Sequence, residues 1–168
     1  MPFLYHVTYL HRLGSIAAIG LQADQARTFG QAYGFHTGGR TFMTGPAGVG
    51  FWASRYEDHA PDDPQEGWVP VVLRVDVEEL PLEVDEIGSR DARAPSFFTT
   101  ARVEPDRLEV WDGVWIPVDE SDPDQMIEDA MDAAEVEEVE GEHDAWGEPL
   151  VIYWMDHDLF IPPLRAEP

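Results

Sequence analysis

The stretch Phe3-Leu4-Tyr5-His6-Val7-Thr8, continued by Leu13, Ile16, Ala17, Gly20 and Leu21 within residues 1–21, decides the fold. Phe3, Tyr5 and Val7 alternate with Leu4, His6 and Thr8, the period-two pattern of a strand with one apolar face and one face bearing an imidazole and a hydroxyl. Leu13, Ile16, Ala17, Gly20 and Leu21 then fall at helical spacing, and Gly20 occupies the position of a helix C-cap. The order read from these residues is strand, short helix, glycine, leucine. On the residues alone, His6 reads either as a ligand on the polar face or as a satisfied histidine on a half-buried strand.

Composition bounds the rest. With 168 residues, 43% of them hydrophobic, the chain is long enough for one core, and residues 1–168 are expected to form a single domain. The absence of cysteine excludes a disulfide scaffold, a thiolate metal site and a cysteine nucleophile. The apolar runs are a few residues long and interrupted by His, Arg or Asp, so neither a signal peptide nor a membrane span is expected, and the default compartment is cytoplasmic.

The formal net charge is −24, from 34 acidic and 10 basic residues, and every basic residue is arginine. Such a charge repels nucleic acid and anionic membranes. It is unevenly placed. Residues 1–55 hold Arg12, Arg27, Arg40 and Arg55 against Asp24 alone, a net +3, and the other 113 residues carry −27. The basic segment suits an anionic small ligand and disfavours a long polyanion.

Leu4-Tyr5-His6-x-Thr8, a spaced Ile16 and Gly20-Leu21 resemble the opening of the ADP-ribosyltransferase superfamily and of its RNA 2'-phosphotransferase branch. The resemblance implies binding of NAD or of an ADP-ribosylated intermediate, with His6 holding a ribose hydroxyl and Thr8 beside it. Gly48-Val49-Gly50-Phe51-Trp52-Ala53-Ser54, followed by Tyr56 and Ala60, resembles the superfamily's second motif, a glycine-led strand with an aromatic pair and then a helix. Chemically, a nicotinamide ring needs a flat aromatic surface and a closely approaching backbone, which aromatics beside Gly50 supply. Phe51 stands at the family's tyrosine position, Tyr56 is the nearest residue able to offer a ring from the helix, and Trp52 on its own reads as core.

Val69 to Val77 is the strongest strand pattern in the chain, and Ser96 to Arg102, before Val103-Glu104-Pro105, is the counterpart of the family's catalytic strand. The common transferases place a glutamate on that strand. Here no acidic residue lies between Arg93 and Glu104, while the 2'-phosphotransferase branch works without one, through phosphate-holding arginines. The resemblance spans Phe3 to Trp115.

Between the two motifs, Gln22 to Gly50 reads as a glycine-rich loop containing His36 and Gly38-Gly39-Arg40. Converging backbone N–H groups with an arginine fork suit a pyrophosphate, and a surface loop is the equal alternative. From Asp119 to Glu148, 14 of 30 residues are acidic. Asp122 before Pro123 makes a helix start, Met126, Ile127, Ala130, Met131 and Ala134 make one apolar face, and Gly141 ends the helix. Its outer face is an acidic wall, or a surface for a basic protein partner. Leu150 to Phe160 reads as a last strand. Its Asp156-His157-Asp158 is read as a capped strand end, because neighbouring strand side chains point to opposite faces, so no metal site is assigned. No Gly-x-Ser-x-Gly elbow or other nucleophile frame occurs, and no catalytic residue is assigned.

The expected architecture is α+β, a split, mostly antiparallel two-sheet arrangement of the ADP-ribosyltransferase type with a few short helices and an acidic helical segment at about 119–148. The expected function is NAD or ADP-ribose binding by a transferase-like protein. His6, Thr8, Gly50, Phe51 and Tyr56 would line the cleft, and Arg12 and Arg40 would meet the phosphates. A noncatalytic acidic interaction protein retaining the fold is the competing class.

Overall fold

The protein is described by a computed structural model covering residues 3–22, 39–60, 67–154 and 156–164. Nine strands and four α-helices are found among these residues. β1 (Phe3–Tyr9), β2 (Thr41–Thr44), β3 (Pro70–Asp76), β4 (Glu83–Val84), β5 (Ser96–Thr99), β6 (Leu108–Trp111) and β7 (Trp115–Pro117) form one sheet in the order β4-β5-β2-β1-β3-β6-β7. Every neighbouring pair is antiparallel. Among the described residues β8 (Glu135–His143) and β9 (Pro149–Trp154) pair only with each other. The α+β class and antiparallel pairing expected from the sequence are therefore what the structure has.

The sheet is built around β1 and β3, in register from Phe3 opposite Asp76 to Tyr9 opposite Pro70. Val71, Val72, Leu73 and Val75 are all buried, the continuous apolar reading of a strand covered on both faces. Alternation sends Leu4, Val71, Leu73 and Val75 to one face, where they pack with Leu13 and Ile16 of α1 (Leu13–Ile19), Met126 and Ala130 of α4 (Pro123–Ala133), and Phe160. Val7 and Val72 face the other way, onto Val49 and Ala53 of α2 (Val49–Asp58). Both faces of β1 are thus covered, which corrects the reading of one apolar and one polar face: Leu4 and Thr8 are buried on the face that was assigned to polar groups.

α1 ends as its sequence dictates. Gly20 adopts φ 73°, and a Cβ there would lie 2.0 Å from the Val103 carbonyl oxygen. The close approach lets Leu21 and Val103 exchange both backbone hydrogen bonds, at 2.9 and 3.0 Å. α4 begins with the Asp122 side chain accepting from the Gln125 N–H at 3.1 Å and Pro123 in the first turn, as read from the sequence.

Four expectations are corrected. Gly48 to Ser54 is not a strand: Val49, Trp52, Ala53 and Tyr56 recur at helical spacing, and that face packs on β1 and β3 as α2. Gln22 to Gly50 is not loop throughout, because β2 lies in it between β1 and β5, while residues 23–38 fall outside the described residues. The acidic helix stops at Ala133 rather than running to Gly141; Ala134 is extended, and Glu135 onwards pairs across to Trp154. The last strand ends at Trp154, and residues 157–160 form turns that return Phe160 to the core. A fourth helix that the sequence reading did not anticipate, α3 (Glu86–Ala92), is capped by Asp85, whose side chain accepts from the Gly88 N–H at 3.0 Å. No helix among the described residues is long and apolar enough to cross a membrane.

Candidate functional site

His6 sits in the middle of β1 and is fixed from β2. Its Nδ1 lies 2.7 Å from the Phe42 carbonyl oxygen. A carbonyl only accepts, so Nδ1 carries the proton and donates. Burial lowers the His6 pKa below the ordinary imidazole value; the bond to Phe42 works the other way, and the nearby Arg12 charge lowers it further. The ring is only half-buried by exposed area, yet protein atoms crowd it enough for desolvation to dominate. The consequence is a neutral imidazole whose Nε2 is an unprotonated acceptor. Among the described residues the contact with Phe42 is the His6 ring's one hydrogen bond.

The end of β1 carries a second group of rings. Tyr9 donates its hydroxyl to the Tyr56 carbonyl oxygen at 2.9 Å, tying β1 to α2. The two phenol rings lie 4.8 Å apart, Trp68 meets Tyr9 edge-on at 5.0 Å, and His11 stacks on Tyr9 at 5.7 Å. His11 is itself 4.4 Å from Trp68, and its Nδ1 is 3.1 Å from the Gly67 carbonyl oxygen. Burial pushes the Tyr56 phenol up to about 12; the Arg12 charge opposes this and Tyr9 adds to it. Arg12 lies over the Tyr9 ring at 6.0 Å and bears electrostatically on both His6 and Tyr56.

The structure therefore gathers some expected site residues and separates others. Arg12 stands within electrostatic reach of both His6 and Tyr56. By strand alternation, His6 and Thr8 line one face of β1 while Tyr9, which holds Tyr56, lies on the opposite face, so Arg12 at the strand end is what they share. Thr8 is buried. Phe51 stands off this group, edge-on to Trp52 at 5.0 Å with Arg55 over its ring at 5.3 Å, and Gly50 is exposed with open space around its Cα. Arg40 immediately precedes β2, and its guanidinium is turned toward β5, 4.3 Å over the Phe98 ring. Gly38 of the expected phosphate cradle lies outside the described residues.

β5 carries Ser96, Phe97, Phe98 and Thr99, with Ser96 and Thr99 buried. The nearest carboxylates in sequence point elsewhere: Asp91 pairs with Arg90 at 2.9 Å and Glu104 with Arg102 at 3.1 Å, all on the surface. Among the described residues no group of His, Asp and Glu is placed to hold a metal ion; Asp156 accepts from the Asp158 N–H at 3.0 Å.

Three participants were missed in the sequence. Phe42 acts through its backbone, which no side-chain pattern reveals. Tyr9 continues the Tyr5–Val7 alternation by one step, and Trp68 immediately precedes the strongest strand; both signals were present. No family model, no curated protein and no solved structure matches the chain.

Proposed function

We propose that this chain binds NAD or an ADP-ribose-like nucleotide beside β1, on a sheet of the ADP-ribosyltransferase type. The observation that carries the reading is the fixed tautomer of His6. With Nδ1 committed to the Phe42 carbonyl and the ring held neutral, Nε2 is a preset acceptor for a hydroxyl, the group a ribose offers. Arg12, within electrostatic reach of that ring, supplies the cation a pyrophosphate needs. Arg12 also belongs to the basic N-terminal third of an otherwise acidic protein, which draws an anionic small molecule to this end.

The reaction class follows from what β5 lacks. A glutamate-dependent transferase stabilises developing positive charge with a carboxylate, and β5 offers hydroxyls and rings instead. The site's chemistry is thus that of ribose and phosphate binding, closer to the phosphotransferase branch than to the common ADP-ribosyltransferases. Calorimetric titration of the full chain with NAD, and separately with ADP-ribose, tests the reading. Saturable binding of either supports it, and absence of binding of both at millimolar ligand overturns it.

A further inference from the structure

We infer that the β8–β9 hairpin is a docking arm for a positively charged polypeptide segment, anchored by the indoles of Trp146 and Trp154. Among the described residues the hairpin joins no larger sheet, and β8 is exposed along nearly its whole length. A two-stranded hairpin of this kind gains little from its own burial, and here it also exposes large apolar side chains. Trp146 is 88% exposed at the tip, and Val136 and Trp154 are each 57% exposed. Val136 and Val151 share one face by register, since Val151 stands opposite Glu138; Trp154, opposite Glu135, occupies the other.

Each apolar group stands among carboxylates. Between Glu135 and Glu148 there are seven, and the hairpin holds no Arg or Lys. The Trp154 indole N–H donates to a Glu137 carboxylate oxygen at 3.1 Å, which fixes ring and charge side by side. At the tip, the Asp144 side chain accepts from the backbone N–H groups of Trp146 at 2.8 Å and Glu148 at 3.0 Å, so the turn that presents Trp146 is shaped in advance of any partner. A carboxylate row beside indole faces fits Arg and Lys side chains, whose heads pair with the acids and lie over the rings.

The same charge rejects the other occupants. A second copy brings an identical −24, and nucleic acid and anionic lipid are repelled likewise. The arm shares no residue with the His6 group, so its failure and that of nucleotide binding are separable.

The test uses the full chain at physiological ionic strength and a labelled synthetic peptide alternating Arg with Val, read by fluorescence anisotropy. Saturable binding is expected, weakened about ten-fold or more by Trp146→Ser, whose side chain the fold does not use. The triple variant Glu138→Gln, Glu140→Gln, Glu142→Gln is expected to weaken binding comparably. The matched triple on α4, Asp124→Asn, Glu128→Gln, Asp132→Asn, removes the same charge and is expected to change it within about two-fold. No peptide binding, an unaffected Trp146→Ser, equal losses from the two triples, or tighter binding of a single-stranded oligonucleotide would each overturn the proposal.

Discussion

The imidazole of His6 is held by the backbone of Phe42 on the neighbouring strand, Nδ1 to carbonyl oxygen at 2.7 Å. One bond thereby sets the tautomer, the ring orientation and the character of the free nitrogen. Burial outweighs the pull of that bond toward the charged form, so the folded state prefers the neutral ring.

That preference has a sign. The His6 pKa in the folded chain lies below its value of 6.5 in the unfolded chain, so the unfolded state binds the proton more readily. The stability this gives is fully present above pH 6.5 and is lost as pH falls through the folded pKa. Urea unfolding of wild type and His6→Asn, whose amide keeps a donor for Phe42, should show the wild type losing more stability between neutral and mildly acidic pH. Parallel profiles would contradict it.

Tyr56 behaves oppositely. Its phenol titrates near 12 rather than 10.0, so the neutral ring stabilises the fold below pH 10, and this contribution disappears as pH rises from 10 to 12. Tyr56→Phe should flatten the alkaline limb of the stability profile, followed by circular dichroism. An unchanged limb would place the shift elsewhere.

Gly20 and Gly113 separate strain from collision. Both have φ 73°, but a Cβ at Gly113 meets nothing within 4 Å whereas one at Gly20 meets the Val103 carbonyl at 2.0 Å. Gly113→Ala should cost about 1–2 kcal/mol, the usual penalty for a left-handed residue. Gly20→Ala should cost several kcal/mol, on the order of 3 or more, because the Leu21–Val103 bridge must also open. Denaturant midpoints of the two variants provide the comparison, and equal losses would contradict it.

The elements legible in the sequence are those with strong periodicity or caps. β1, α1 with Gly20, β3 and the Asp122–Pro123 start of α4 all follow from local pattern. α2 is obscured because its glycine-led aromatic stretch resembles a strand motif, while the Val49–Trp52–Ala53–Tyr56 helical spacing takes effect through packing against Val7 and Val72. β2 was hidden among glycines, since Thr41 to Thr44 gains its pairing from β1 and β5 rather than from its own four residues. β9 is legible as the first part of the last strand, whereas β8 is hidden by charge: its Glu-rich sequence reads as helix, and cross-strand partners such as Trp154 lie far along the chain. Of the candidate site, His6, Arg12 and Tyr56 were legible as residue types, but the Phe42 carbonyl that sets the His6 tautomer is invisible to side-chain reasoning.

Turnover as a glutamate-dependent transferase should be very low, because β5 presents no carboxylate, and loss of one such preorganised group costs roughly 10²–10³ in rate. NAD hydrolysis, ADP-ribosyl transfer and release of a 2'-phosphate from an oligonucleotide should be assayed side by side. Robust NAD hydrolysis would contradict the expectation and bring a carboxylate from elsewhere in the chain into the site.

The most direct test is a calorimetric titration of NAD into wild type and His6→Ala. Loss of a hydrogen bond to a ribose hydroxyl should cost about 1–3 kcal/mol of binding free energy. Wild-type binding that weakens by that amount in the variant is the predicted result, and equal affinity for the two proteins, both shown to be folded, would remove His6 from the site.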